Sequence, residues 1–346
     1  MMLISRYHIL VVLVTMPLCL HGQTADTTFY PSFFEGDNVL RVSLYFDISQ
    51  HIRKSEEYSD GAIVVYDAKG DSVRHKVRCK ARGNYRRDNC FFPPVMLNFK
   101  PDTLFTTDGY LTKMKLVSHC VNSKAYLKYL YKEYLVYKLW EQLSPYALRT
   151  RLLDVQYFDE GKKGKHYRVA AFIIEPMYMM AQRTNSAEVK GEYFNDAVIN
   201  ELDADRVAFF NYMIGNTDWR IKSAHNIKFI KSLEQGREEV TAIPYDFDHA
   251  GLINAAYAKP SEWSRATKVT ERDYIGRCRS YNDNYLTLIE EFLAAEEQIY
   301  ATILDFEYLD EGDRKDIYRY ISSFYKELKR GKSFIRMLHN NCMNRY

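Results

Sequence analysis

The hydrophobic pattern of the chain changes period near residue 178, and that change limits the folds open to it. Before it, apolar and polar residues alternate or cluster in short β-branched runs, the signature of strands. Val39 to Phe46, Ala62 to Tyr66, Ser72 to Ala81, Val95 to Phe99 and Met114 to Ser118 are such runs. Leu152 to Phe158 and Val169 to Glu175 add two more. One helix interrupts them. It runs from Ser123, a capping residue, to Leu143, with Leu127, Leu130, Tyr134 and Tyr137 at helical spacing and Pro145 just beyond. After residue 178 the period is helical: Asp196 to Ile214, Tyr285 to Leu304 and Lys315 to Leu328 read as helices. Ile227 to Ile230 and Val240 to Pro244 read as short strands among them. A sheet-forming half followed by a helical half predicts an α+β fold in two lobes, residues 23–178 and 179–346.

Residues 1–22 read as a secretory signal, with Arg6 and His8 before the apolar run Ile9 to Leu20 and the small Gly22 as a cleavage point. The run is shorter than the ~20 residues of a spanning helix, so no transmembrane segment is expected in the mature chain. Cys19 follows Met16, Pro17 and Leu18, a poor match to a lipid-attachment signal. Export to the periplasm or the medium would permit disulfides. The mature chain keeps Cys79, Cys90, Cys120, Cys278 and Cys342, an odd set without a CxxC pair, which argues against a zinc ribbon or a thioredoxin motif. Sequence does not fix the connectivity; Cys90–Cys120 and Cys278–Cys342 are the favoured pairs. Lys and Arg total 48 against 45 Asp and Glu, a formal charge of +3 with no basic block, so nucleic acid is not an expected partner.

The chemistry concentrates in one stretch. Gly215-Asn216-Thr217-Asp218-Trp219 leads to His225-Asn226-Ile227-Lys228 and then to Ile243-Pro244-Tyr245-Asp246-Phe247-Asp248. Phosphoryl transfer uses such a set: one carboxylate takes or orients the nucleophile's proton, while an amide oxygen and a second carboxylate hold magnesium against the phosphates. Singly, each residue reads as a turn or strand-edge Asp or Asn. Their order after a buried helix favours a site. No G-x-S-x-G, G-x-x-x-x-G-K-[ST] or H-E-x-x-H motif occurs, which lowers hydrolase, P-loop and zincin readings.

The runs RGNYRR and FPPVMLNF, the helix carrying KEYLVYKL, the strand AAFIIEP, the loop GNTDW with HNIKFI, and the strand IPYDFD follow one another in an order that resembles CotH-type kinases. That is the spore-coat protein H family, and the likeness covers roughly residues 40–255. The resemblance implies a bilobal protein-kinase-like fold, with an antiparallel β N-lobe holding one helix and a mainly helical C-lobe. It implies ATP and Mg²⁺, or Mn²⁺, as cofactors. Carried over by position, Asp218 is the catalytic base, Asn226 and Asp246 are magnesium ligands, and Asp248 is a second metal ligand or an orienting carboxylate. Lys115, or Lys113 on the same strand face, would meet the nucleotide phosphates, held by Glu133 on the long helix; the equal alternative is that Glu133 lies at the stripe's edge and reaches water. Arg82 beside Gly83 is a further phosphate ligand, and Glu175-Pro176 stands where the lobes would be linked. The chain departs from the family at Tyr245, where Trp is preferred, and in the long basic loop from Asp218 to Asn226. His225 reads as a locally packed or hydrogen-bonded residue before a ligand, and Arg86, Arg87 and Lys80 as a solvated face before a binding groove. The function so implied is an exported phosphotransferase acting on protein or glycan hydroxyls of the envelope. The alternative is a non-catalytic, kinase-like ligand-binding protein of the envelope.

Overall fold

The structure, a computed structural model, describes residues 32–342 apart from 56, 84, 100–103, 108, 162–165, 192–197 and 280–282. The expected signal segment and Asn84 of the Arg-Gly-Asn run lie outside the described residues.

Strands β1 (Leu40–Phe46), β2 (Ser59–Tyr66), β3 (Ser72–Ala81) and β4 (Val95–Asn98) form an antiparallel meander. A small ribbon, β5 (Leu104–Thr106) with β6 (Gly109–Leu111), precedes β7 (Lys113–Ser118), which pairs with β4. Strands β8 (Thr150–Asp159) and β9 (His166–Ile174) make a hairpin, and β9 pairs with β7. The other edge of β8 then meets β1 in parallel, from Leu40 opposite Leu153 to Phe46 opposite Asp159.

This seam closes the seven strands into a barrel, in the order β1-β2-β3-β4-β7-β9-β8. The closure corrects the expected bilobal protein-kinase-like fold, whose N-lobe would be an open antiparallel sheet. The physical reason is the edges. Left open, β1 and β8 would each expose a row of unpaired N–H and C=O groups, and pairing them removes both rows.

The strands next to the helices are apolar on both faces. Leu116, Leu153, Ala171 and Ile173 join Val42, Leu44, Val77 and Leu97 in the barrel core. Their neighbours Val117, Leu152, Phe172 and Ile174 belong to the core shared with the helices. The unbroken apolar run Val169 to Ile174 follows from that double burial.

Short helices α1 (Ile48–Ile52) and α2 (Tyr85–Asn89) sit in barrel loops. Helix α3 (Lys124–Glu141) starts where Ser123 accepts the Tyr126 N–H at 3.3 Å. Helix α4 (Met177–Arg183) leads to a three-stranded sheet of β10 (Ser186–Val189), β11 (Ile227–Ser232) and β12 (Val240–Pro244). Helix α5 (Glu201–Ile214) begins later than its apolar pattern predicts, because Asn200 caps it through the Asp203 N–H at 2.9 Å. The single helix expected from Tyr285 to Leu304 is two, α6 (Asp283–Ala294) and α7 (Glu296–Leu304). Helices α8 (Glu311–Leu328) and α9 (Lys332–Cys342) follow.

Both favoured disulfides are present, with Cα separations of 4.6 Å for Cys90–Cys120 and 5.4 Å for Cys278–Cys342, while Cys79 is a buried thiol. They are compatible with export, and no described helix is long and apolar enough to cross a membrane. The first bridge ties the end of α2 to the β7–α3 connection, where the Phe92 N–H also donates to the Cys120 carbonyl at 3.2 Å. Its cysteines are 30 residues apart, and closing such a loop stabilises by roughly 3–4 kcal/mol. The double change Cys90→Ser/Cys120→Ser is therefore expected to lower the unfolding free energy in urea by that amount. A loss under about 1 kcal/mol would show that the bridge constrains little.

Candidate active site

The site begins at the end of α5. Gly215 caps the helix at φ +66°, a left-handed conformation, and a Cβ there would stand 2.0 Å from the Tyr320 hydroxyl. Only glycine allows this exit. Asn216 then accepts the Asp218 N–H on its side-chain oxygen at 3.0 Å and donates to the Asn211 amide oxygen at 2.9 Å. These contacts fix the backbone that presents Asp218. The loop closes on itself through reciprocal backbone hydrogen bonds between Arg220 and His225, both 2.9 Å. One Asp218 carboxylate oxygen meets the His225 Nε2 at 2.8 Å, and the other accepts from the Asn226 amide nitrogen at 3.0 Å. The same nitrogen donates to the Asp218 carbonyl at 2.7 Å, which commits the nitrogen and leaves the amide oxygen to face other partners.

Asn226 and Asp246 flank the end of the β11–β12 hairpin. Ile227 lies opposite Pro244, and the Tyr245 N–H donates to the Asn226 carbonyl at 3.1 Å. Both residues hold positive φ, +51° at Asn226 and +63° at Asp246. Such backbone is uncommon away from glycine and is best tolerated by Asn and Asp. Two such positions side by side are a stored local cost of the kind that collects at functional sites. The Asp246 N–H is held by the Tyr137 hydroxyl of α3 at 2.9 Å.

Arg86 on α2 reaches across the cleft. Its Nη2 donates to Glu133 of α3 at 2.5 Å, and its Nε to Asp248 at 2.9 Å. The Tyr257 hydroxyl donates to the same Asp248 oxygen at 3.2 Å. Two sequence expectations are corrected here. The partner of Glu133 is Arg86 rather than Lys115, and Arg86, its side chain 14% exposed, is an ion-pair residue rather than part of a solvated face. Glu133 is only 2% exposed, so burial pushes its carboxyl above the ordinary range, with Arg86 opposing. The two carboxylates hold the guanidinium protonated.

Lys115 on β7 instead lies 4.7 Å from the centre of the Tyr245 ring, with the Lys228 ammonium 5.5 Å from the same ring. Burial, then the nearby Arg82 charge, lowers the Lys115 pKa to about 8. Together Arg82, Lys115, Glu133, Asp218, Asn226, Asp246 and Asp248 line one cleft of about 190 Å³, while Lys113, the alternative to Lys115, does not line it. Glu175 does not line the cleft; its buried carboxylate is clamped by Arg149 at 2.9 Å and Arg183 at 2.8 Å. Sequence reasoning missed Arg86 and Lys228. Lys228 had a signal, since it is the second residue of the strand that Asn226 leads into. Arg86 had none.

Among the described residues, no three His, Cys, Asp or Glu side chains converge as a metal-binding group. The donors here are the Asn226 amide oxygen and the Asp246 carboxylate. Magnesium bound with substrate phosphates uses one or two protein carboxylates and completes its shell from phosphate and water. The donor set therefore fits a cation that arrives with a phosphate ligand.

No protein-family model, curated protein or solved structure matches the chain.

Replacing Arg86 with Met would leave two buried carboxylates without their cation. Denaturation of the Arg86→Met variant is expected to show a loss of about 3–5 kcal/mol, partly recovered when Glu133→Gln is added. An unchanged midpoint would mean that water, not Arg86, compensates these charges.

Proposed function

We propose that the cleft binds a nucleoside triphosphate, ATP in the first instance, with Mg²⁺ or Mn²⁺, and transfers its terminal phosphoryl group to a hydroxyl of an envelope protein or glycan. The observation that carries this reading is the convergence of Asp218, Asn226 and Asp246 opposite Arg82 and Lys115. The motif likeness to CotH-type kinases supports the same chemistry and is used for the site alone.

Each side chain has a part that its contacts allow. Arg82 and Lys115 face the phosphates and balance their charge. Asn226, by its amide oxygen, and Asp246, by its carboxylate, would hold the cation, which would neutralise charge on the bridging and terminal phosphate oxygens. Asp218 accepts the proton of the acceptor hydroxyl as that oxygen attacks phosphorus and the nucleoside diphosphate leaves. His225 and Asn226 orient the Asp218 carboxylate and leave it little freedom to turn away.

Thermal unfolding with ATP and Mg²⁺ tests this. Nucleotide at a hundred times its dissociation constant is expected to stabilise the chain by about 2.7 kcal/mol. Asp246→Ala should abolish the shift, whereas Asp218→Ala should keep it and lose transfer of labelled phosphate. The Lys115 value, lowered to about 8, gives the pH profile. Below it the ammonium is charged and attracts phosphate; above it binding must first take up a proton, so affinity is expected to fall as pH rises past about 8. The ligand-free fold has the opposite trend from this group, gaining stability from about 8 toward the ordinary lysine value of 10.5. No stabilisation by any nucleotide with either metal would remove the proposal.

A further inference from the structure

A second cavity, about 570 Å³, lies on the far side of the loop that carries Asp218. The loop is the partition. Asp218 and His225 line the cleft, while the adjoining Trp219 and Arg220 line the second cavity. Trp263 lines it too and stands edge-on to His225 at 5.2 Å, its indole N–H fixed on the Thr217 carbonyl at 2.9 Å. A ligand in this cavity would therefore sit one residue away from the Asp218 carboxylate.

The walls are apolar, with Ile199, Ile221 and Ile275 beside the two indoles. Arg220, Lys222 and Arg277 are exposed along them and have no carboxylate partner among the described residues. The buried ion pair is already spent: Arg279 holds Asp205 at 2.9 Å and also reaches the half-exposed Glu201 at 2.7 Å. One donor is not spent. Trp219 is 4% exposed, and its indole N–H has no hydrogen-bond partner among the described residues. A buried donor left unmet is costly, and a carbonyl brought by a ligand would recover part of that cost.

We propose that this cavity docks the acceptor of the neighbouring cleft, and that the acceptor is an acidic peptide segment carrying an apolar side chain. The word acceptor rests on the phosphotransfer reading; the binding chemistry does not. Three cations without a carboxylate partner among the described residues, Arg220 lying over the Trp263 ring at 5.7 Å, select negative charge. Three isoleucines and two tryptophans take an aliphatic or aromatic side chain, and the Trp219 N–H takes a main-chain carbonyl. A glycan would need converging polar side chains for its hydroxyls, and the buried Asp205 and Arg279 are bonded to each other.

The test is fluorescence anisotropy of the full chain, without nucleotide. The probe is a short fluorescein-labelled peptide with one serine, an adjacent leucine and flanking glutamates. A peptide with lysines for glutamates is the control. The acidic peptide is expected to bind, and the triple variant Arg220→Glu/Lys222→Glu/Arg277→Glu to weaken it at least about tenfold with the nucleotide-induced stabilisation unchanged. Trp219→Phe, which keeps a ring and removes the N–H, should weaken binding several-fold. Equal binding of the two peptides, or an unaltered triple variant, would overturn the proposal. So would displacement of the probe by an oligouronic acid at lower concentration than by unlabelled acidic peptide. Peptide binding in a chain that no nucleotide stabilises would uphold this docking site while removing the phosphotransfer reading.

Discussion

The guanidinium of Arg86 between Glu133 and Asp248 is the contact on which the cleft depends. It joins a barrel loop, the long helix and the segment after β12, three parts far apart in the chain. Burying three charges is costly, and a well-packed apolar trio could stabilise as much. The return is position. Glu133 and Tyr137 are one turn apart on α3, and between them they fix Asp248 through Arg86 and the Asp246 N–H directly. The Cys90–Cys120 bridge then holds α2, and with it Arg86, against the barrel.

That fixation explains how the hairpin end sustains its backbone. Asn226 and Asp246 both occupy left-handed conformations that a free loop would relax. The Tyr137 hydroxyl, the Asn226–Asp218 contacts and the rigid exit at Gly215 over-determine the geometry. The same neighbourhood places Lys115, Lys228 and Arg82 close enough for their charges to oppose one another, which an incoming phosphate would relieve.

Much of this was legible in the sequence where the signal is local. Period-two runs found the barrel strands, Ser123 and Pro145 bracketed α3, and the stripe from Val198 through Leu202, Val207 and Phe210 to Met213 marked a buried helix. Asp218, Asn226 and Asp246 could be grouped because a hairpin brings its two ends together whatever surrounds it. What failed was non-local. Nothing in β1 says that its second neighbour is β8, so the closed barrel was read as an open sheet. Glu133 on an apolar stripe calls for a cation or for water, and the stripe cannot say which: Lys115 is the candidate in sequence order, and Arg86 is the partner in the fold. Residue 86 sits in a basic turn whose charges all look alike until the fold selects one.

Crystals grown with Mn²⁺ and a non-hydrolysable ATP analogue, read by anomalous scattering, test the central claim most directly. The account predicts a manganese peak within about 2.2 Å of both the Asp246 carboxylate and the Asn226 amide oxygen. The analogue's phosphates should face Lys115 and Arg82. A nucleotide bound elsewhere, or manganese bound without contact to Asp246, would contradict it.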